Sequence, residues 1–71
     1  MTSRGRIDMV FLFENRVFIF EFKIDSTSRS AIEQIKQQRY YEKYAGKKIT
    51  LIGANFDSAT RSISDWLVEA I

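Results

Sequence analysis

The sequence predicts a small α/β (α+β) domain in which a mixed β-sheet carries a single helix. Three observations predict it: two neighbouring aromatic and β-branched runs, a capped helical segment after them, and an almost unbroken apolar run of strand length after the helix. The chain has 71 residues, with no repeat, linker or low-complexity segment, so we expect one domain over residues 1–71. The predicted order is strand, strand, helix, strand, strand.

The first two strands are predicted to form a β-hairpin. Ile7–Phe13 and Val17–Ile24 are rich in Phe, Val and Ile, and the polar residues Glu14, Asn15 and Arg16 separate them. Such a short polar break between two apolar runs is typical of a tight hairpin turn.

The helix is predicted from its two ends. Several hydroxyl residues between Ser26 and Ser30 are candidate N-caps, and Ser30 with Glu33 matches the capping box. Gly46 follows Ala45, the last residue that fits the helical pattern. These signals predict a helix of about 16 to 18 residues.

The rest of the chain completes the sheet. Lys48–Ala54 is predicted as a buried strand that returns beside the hairpin through a crossover. Asn55–Arg61 is predicted as a loop. Ser62–Ala70 favours a fourth strand, with a short helix as the alternative.

Both faces of the predicted hairpin are apolar. Alternation places Val10, Leu12, Val17 and Ile19 on one face and Met9, Phe11, Phe13, Phe18, Phe20 and Phe22 on the other. One helix covers only one face of a sheet, so the other needs a neighbouring subunit or a segment that this chain lacks. We therefore expect a homo-oligomer, most simply a twofold dimer.

Composition excludes whole classes of chemistry. With no His and no Cys, catalytic triads, Cys-His pairs, thiolate or imidazole zinc sites and haem ligation are impossible, and no disulfide can form. The polar start and the absence of a long apolar run predict a soluble cytoplasmic protein without a membrane partner, and nothing predicts a nucleotide cofactor. The net charge of +2 is only a mild basic bias.

The candidate site lies on the second strand. Glu21 and Lys23 are two residues apart, so they share one face. If Glu14 and Asn15 form the turn, Asp8 lies directly opposite Glu21, and two carboxylates at that separation can share a divalent cation such as Mg²⁺. A register change would instead set Asp8 opposite Lys23 and leave an ion pair. Alternatively, Glu21 and Lys23 simply pair at the surface.

The helix carries two further candidate groups. A packing face is predicted from Ala31, Gln34, Ile35, Gln38, Tyr41 and Ala45, on which Gln34 either belongs to the site or lies at the margin of the core. A second arc without acidic residues contains Arg29, Lys36, Arg39 and Lys43, with Ile32 and Tyr40 beside it. This basic stripe either contacts nucleic-acid phosphates or is a solvated face. Tyr40 and Tyr44 either stack on bases or cover apolar surface, and Trp66 is predicted in the core or an interface.

Several short segments, taken in their order along the chain, carry a resemblance to a known family. They are Gly5-Arg6-Ile7-Asp8, Glu21-Phe22-Lys23, Gln34-Ile35, Tyr40, Tyr44, Ile52-Gly53-Ala54-Asn55-Phe56 and Ile63-Ser64-Asp65-Trp66. In this order they resemble the PD-(D/E)XK nuclease superfamily, from Gly5 to about Val68. More narrowly, the chain is similar to a nuclease-like C-terminal domain that follows an AAA-ATPase-like region in bacterial proteins.

The resemblance implies a minimal restriction-endonuclease-like core that hydrolyses DNA with Mg²⁺ or Mn²⁺. By this resemblance Asp8, Glu21 and the Phe22 carbonyl hold the metal, Lys23 orients water or stabilises phosphate charge, and Gln34 lies beside the site. The alternative is a catalytically silent module for nucleic-acid binding or protein assembly. Two features differ from the superfamily pattern: the helix and strand that precede the Asp are absent, and Ile7 stands where a Pro is common.

Overall fold

The fold is a four-stranded mixed sheet covered on one face by a helix. The computed structural model describes residues 6–71, and for residues 6–8 and Tyr40 it describes the backbone alone. The elements are β1 (Arg6–Phe13), β2 (Arg16–Ile24), α1 (Ser28–Gln38), a 3₁₀-helix (Tyr40–Tyr44), β3 (Lys48–Asp57) and β4 (Ser62–Ala70). Strand order is β1-β2-β3-β4, with β2 and β3 parallel and the other two pairs antiparallel. The predicted element order is confirmed, and the ambiguous tail is a strand.

The β1–β2 hairpin adopts the first of the two predicted registers. Phe13 lies opposite Arg16, and Asp8 lies opposite Glu21. The alternative pairing of Asp8 with Lys23 is wrong. This register places Val17 and Ile19, which are 0% and 1% exposed, on the face that the helix covers.

Helix α1 begins earlier than its predicted capping box. The N-cap is Thr27, whose side-chain oxygen accepts a hydrogen bond from the Ser30 backbone N–H at 3.0 Å. Ser30 therefore lies in the first turn, and the predicted box of Ser30 with Glu33 is wrong. A hydroxyl cap three residues before the N–H that it binds satisfies one of the free donors at the helix start.

Helix α1 also ends earlier than predicted, because the chain changes direction at Arg39. Its φ of 58° is left-handed, and its N–H donates to carbonyls of the last helical turn. The 3₁₀-helix that follows has three residues per turn, so Tyr41 and Tyr44 both reach the core, where they pack as half-buried side chains. The prediction of one helix to Ala45 is therefore wrong, and Ala45 is exposed rather than part of the packing face.

The core lies between α1 and one face of the sheet. Its buried cluster consists of Val17, Ile19, Ile32, Ile35, Ile49 and Leu51. Ile32 belongs to this cluster and not to the basic arc beside which it was placed. The opposite face is open, as predicted: Phe11, Phe13 and Trp66 are 55%, 63% and 67% exposed. Trp66 is therefore not a core residue among the described residues.

Strand β3 continues beyond its predicted end at Ala54. Backbone pairing with β4 extends through Phe56 and Asp57, with an irregularity between Asn55 and Phe56. The loop is consequently limited to residues 58–61, and the Asp57 side chain accepts a hydrogen bond from the Ala59 N–H at 2.8 Å. The prediction of a loop from Asn55 onwards is wrong, because side-chain hydrogen bonds hold Asn55 inside the sheet.

The described part of the chain contains no helix long and apolar enough to cross a membrane.

Candidate active site

Among the described side chains of the candidate site, Glu21 is the most deeply buried charged one. It lies in β2 between two register partners, Asp8 on β1 and Gly53 on β3. Its side chain is 1% exposed, and both carboxylate oxygens are buried. Cross-strand neighbours in a directly opposed pair have Cβ atoms about 4.5 to 5.5 Å apart, so the register brings the Asp8 position next to Glu21. The side chain of Asp8 lies outside the described residues.

Gly53 allows the first turn of α1 to approach the sheet beside Glu21. A Cβ at this position would lie 2.7 Å from the Ser28 carbonyl oxygen and 2.9 Å from the Ala31 Cβ. Both distances are far below ordinary van der Waals contact, so a side chain here would force the helix away. The missing side chain of Gly53 thus sets how closely α1 covers the candidate site.

Lys23 and Phe22 occupy opposite faces of β2. Lys23 is half-buried, lies on the same face as Glu21, and is the register partner of Arg6 on one side and Asn55 on the other. The Phe22 ring belongs to the open face of the sheet, so only its backbone carbonyl is available to the site. The spacing predicted from the sequence therefore places Glu21 and Lys23 on one covered face.

A polar network joins the start of α1 to β3 and β4 next to Lys23. The Asn55 Oδ1 atom accepts from the Ser26 backbone N–H at 2.8 Å, and its Nδ2 donates to the Ser64 Oγ at 2.9 Å. Asn55 is 4% exposed, so these hydrogen bonds satisfy a buried amide.

Asp65 anchors the helix start from the neighbouring strand. Its Oδ2 atom accepts from the Ser28 N–H at 3.1 Å and from the Ser28 hydroxyl. The Ser28 hydroxyl, followed by the Ser28 N–H, lowers the pKa of Asp65. Because Asp65 is exposed, the anchor is a charged acceptor that solvent can reach.

Sequence reasoning names Asn55 and Asp65 only within the segments that carry the family resemblance, and it gives neither of them, nor Ser28, a role in the site region. The loop predicted at Asn55 hid its position in the sheet, and no spacing links Asp65 to Ser28. One indirect signal pointed to Asn55. It is a polar residue that directly follows the apolar run of β3, near the carboxyl end of the strand.

Gln34 lies on α1 at the margin of the packed face. It is half-buried, as is Gln38 one turn later. This position agrees with the prediction that Gln34 lies at the margin of the core. A role for Gln34 in the site stays a prediction.

The four predicted phosphate-contacting residues do not form one acid-free stripe. Lys36 forms an ion pair with Glu69 on β4, and the Arg39 Nε lies 3.8 Å from Glu42. Arg29 is exposed in the first turn of α1, at the end where Gly53 and Asp65 meet the helix. Lys36 lies about 10 Å further along the axis, at 1.5 Å per residue.

Lys43 is separated from Arg29 and Lys36 by the end of α1. It is exposed in the 3₁₀-helix, with its Nζ 5.8 Å from the centre of the Tyr44 ring. Tyr44 packs against the core, which supports its predicted role in covering apolar surface. The predicted base-stacking role of Tyr40 concerns a side chain outside the described residues.

Comparison with known proteins assigns the chain to a family. A family profile for the PD-(D/E)XK nuclease superfamily matches residues 1–66. The chain belongs to the PD-(D/E)XK nuclease superfamily. It is also 39% identical, over 74 aligned residues, to an uncharacterised protein from the vnfD 5′ region of Azotobacter chroococcum mcd 1. The match covers 99% of this chain but only 14% of that relative's length, and no solved structure matches.

PD-(D/E)XK nucleases generally use divalent metal ions, so the atoms around Glu21 can be compared with the ligands that such ions prefer. Mg²⁺ and Mn²⁺ prefer oxygen ligands. The Glu21 carboxylate, the Asp8 position opposite it and the Phe22 carbonyl together offer oxygen donors of this kind. Within the described residues no group of three acidic, His or Cys side chains converges. Among the described side chains, Glu21 alone supplies a carboxylate to this set.

Proposed function

We propose that this PD-(D/E)XK domain is a metal-dependent nuclease that hydrolyses DNA phosphodiester bonds. The observation that carries the proposal is the pairing of Asp8 with Glu21 on the covered face of the sheet, with Lys23 two residues further on. In this proposal Asp8, Glu21 and the Phe22 carbonyl hold Mg²⁺ or Mn²⁺. When bound, such an ion lowers the pKa of a coordinated water and offsets charge on the phosphoryl oxygens.

The burial of Glu21 supports a cation at this place. A carboxylate that is 1% exposed is costly to keep charged unless cations or hydrogen bonds compensate it. A divalent ion between the two carboxylates would add to the compensation of the Glu21 charge, and the two carboxylates would in turn hold the ion. Membership of a superfamily that generally uses divalent metals points the same way.

Lys23 is assigned to the phosphate and the attacking water. Its ammonium group adds positive charge on the same face as Glu21, where a phosphate would lie next to the metal. Hydrolysis adds one water across a P–O bond and builds up negative charge on the phosphoryl oxygens. A fixed cation in a water-poor site stabilises such charge more than one in bulk water. Gln34 is assigned to hold the water or the phosphate from the margin of α1.

Phosphate contacts along the DNA are assigned to Arg29, Lys36, Arg39 and Lys43. Among these, Arg29 is nearest the site, because it lies in the turn of α1 that packs on Gly53. Lys36 and Arg39 each have a carboxylate neighbour, which reduces the positive potential that they offer. The contribution to DNA binding is therefore expected to be largest for Arg29.

A second candidate function is a catalytically silent module for nucleic-acid binding or protein assembly. The observation that favours it is that both Glu21 carboxylate oxygens are buried, so that solvent does not reach them. A silent module would retain the fold and the basic residues without metal-dependent cleavage.

DNA cleavage separates the two functions. Supercoiled and branched DNA are incubated with the protein in Mg²⁺, Mn²⁺ or EDTA. A nuclease nicks or cuts with either ion and not in EDTA, and Asp8→Ala and Glu21→Gln abolish cleavage. The matched control is Glu33→Gln, which changes an exposed carboxylate on α1 and leaves cleavage intact. Absence of cleavage by a folded protein in both ions, on both DNAs, supports the silent module.

The setting of the domain is also proposed. The absence of Cys is compatible with a reducing cytoplasmic location, and the open apolar sheet face favours a homo-oligomer. The chain spans 14% of the length of its Azotobacter relative, so an association with an AAA-ATPase-like region stays a prediction.

A further inference from the structure

The open face of the sheet carries an unusually apolar surface. On each of the four strands, alternate residues point away from α1. They are Met9, Phe11 and Phe13 on β1; Arg16, Phe18, Phe20, Phe22 and Ile24 on β2; Lys48, Thr50, Ile52, Ala54 and Phe56 on β3; and Ile63, Trp66, Val68 and Ala70 on β4. We call this set the outer face. Its only charged members are Arg16 and Lys48, which are neighbours in the β2–β3 register at one end.

The exposed area of the outer face matches what a stable dimer needs. Phe11, Phe13 and Trp66 are 55%, 63% and 67% exposed. With a full aromatic area of about 200 Å², they alone expose about 370 Å². Met9, Ile63 and Val68 and the half-buried members raise the total to roughly 700 Å², against about 800 Å² per partner in a standard interface. Typical monomers rarely expose a single apolar patch of that size.

The charged residues at the two ends of the sheet favour one relative orientation of two such faces. Arg16, Lys47 and Lys48 surround a recess of about 420 Å³ at the start of β2 and β3. The opposite end of the sheet carries Asp25 and Asp57 together with Arg61, and Glu14 adds one carboxylate at the recess end, so the recess end keeps the excess of positive charge. The Ser58 hydroxyl and N–H lower the pKa of Asp25, which keeps it ionised. A twofold axis perpendicular to the strands sets the basic end of each copy over the acidic end of the other. An axis parallel to the strands would superpose like charges.

We propose that the outer face is a homodimer interface, in which a second copy of this chain packs sheet on sheet with the basic end of each copy over the acidic end of the other. Packed sheets lie about 10 Å apart and interdigitate their inward side chains, which would bury the aromatic residues of both copies. The interface is independent of the nuclease proposal, because Glu21 and Lys23 lie on the opposite face.

The single tryptophan of the chain reports directly on this interface. Trp66 is 67% exposed in one copy, so its emission is that of a solvated indole, and dimerisation shifts it to shorter wavelength. The test is a dilution series of the full chain, followed by Trp66 emission and by light scattering. The proposal predicts a particle of twice 8.3 kDa that dissociates on dilution together with a red shift of the emission.

Two variants with equally exposed parent residues test which face is used. Phe13→Glu on the outer face is expected to raise the dimer dissociation constant about tenfold, as for loss of an aromatic contact in an interface. Leu12→Glu is the matched control, because Leu12 is also 63% exposed but lies on the opposite face. Equal effects of the two variants, or a wild-type monomer at micromolar concentration, would overturn the proposal.

A third variant tests the orientation. Lys48→Glu places a carboxylate opposite Asp25 and Asp57 of the second copy and is expected to weaken the dimer. If like ends were superposed, the same change would relieve repulsion and tighten it, which would contradict the arrangement proposed. Lys43→Glu, on the 3₁₀-helix, is the control for net charge. Higher-order particles that resist Phe13→Glu would also overturn the interface.

Discussion

Glu21 and Gly53 are register partners in the parallel pair β2–β3, and the absence of a side chain at Gly53 lets α1 pack close to the sheet beside the buried carboxylate. The glycine therefore has a positional role in the candidate site. It sets the distance between the helix start and the strand that carries Glu21. The packing of α1 on the sheet is thereby linked to the position of the Glu21 carboxylate.

Gly53→Ala is expected to destabilise the fold by about 1 to 3 kcal/mol, as overpacking of a filled interior does. The new methyl group would meet backbone and Cβ atoms of α1 at 2.7 and 2.9 Å, and neither can rotate away. Urea unfolding measures the effect. Thr50→Ala, on the outer face of the same strand, is the control and should change stability by less. Equal stability of Gly53→Ala and wild type would show that α1 is not held at this distance.

Acid sensitivity is expected from the anchor between Asp65 and Ser28. The pKa of Asp65 is lowered from its ordinary value of 3.8, because the Ser28 hydroxyl and N–H bind the ionised form. The folded state thus binds this proton more weakly than the unfolded state does. The stabilisation is complete above pH 3.8 and is lost as the pH falls through the lower folded pKa.

Asp65→Asn should therefore flatten the fall in stability below pH 3.8 and lower the stability at neutral pH. Thermal unfolding at a series of pH values measures both effects. Glu33→Gln removes an exposed carboxylate of α1 and serves as the comparison. An Asp65→Asn profile parallel to that of wild type in acid would contradict a charged anchor.

DNA affinity should depend unequally on the basic residues. Arg29→Ala is expected to weaken binding to any DNA sequence. It should also make the slope of log affinity against log salt concentration shallower by about one, which corresponds to one lost phosphate contact. Lys36→Ala should have a smaller effect, because Lys36 already pairs with Glu69. Fluorescence anisotropy at several salt concentrations measures both. Larger losses for Lys36→Ala than for Arg29→Ala would show that the DNA lies along the far end of α1.

The hairpin was the most predictable part of the fold. Two alternating apolar strands with a two-residue polar turn leave few registers, and the register that buries Val17 and Ile19 also pairs Asp8 with Glu21. The family resemblance, drawn from short segments in a fixed order, was confirmed by the family profile that matches residues 1–66.

The helix ends and the polar network were not predictable from local pattern. Arg39 adopts a left-handed conformation that usually favours Gly or Asn, so no residue type marked the end of α1. The contacts of Asn55 with Ser26 and of Asp65 with Ser28 span 29 and 37 residues. Such contacts depend on the tertiary packing of α1 over the sheet, which spacing within one segment does not encode.

If Asp8 and Glu21 bind one divalent metal ion, adding Mg²⁺ or Mn²⁺ should raise the melting temperature of the protein. Selective binding to the folded state at one hundred times the dissociation constant adds about 2.7 kcal/mol, or roughly 10 °C or more for a domain of this size. We predict this rise for wild type and for Glu33→Gln, and its loss in Asp8→Asn and in Glu21→Gln. A melting temperature that does not change with either ion at millimolar concentration, or a rise that persists in both site variants, would show that Asp8 and Glu21 do not hold the ion.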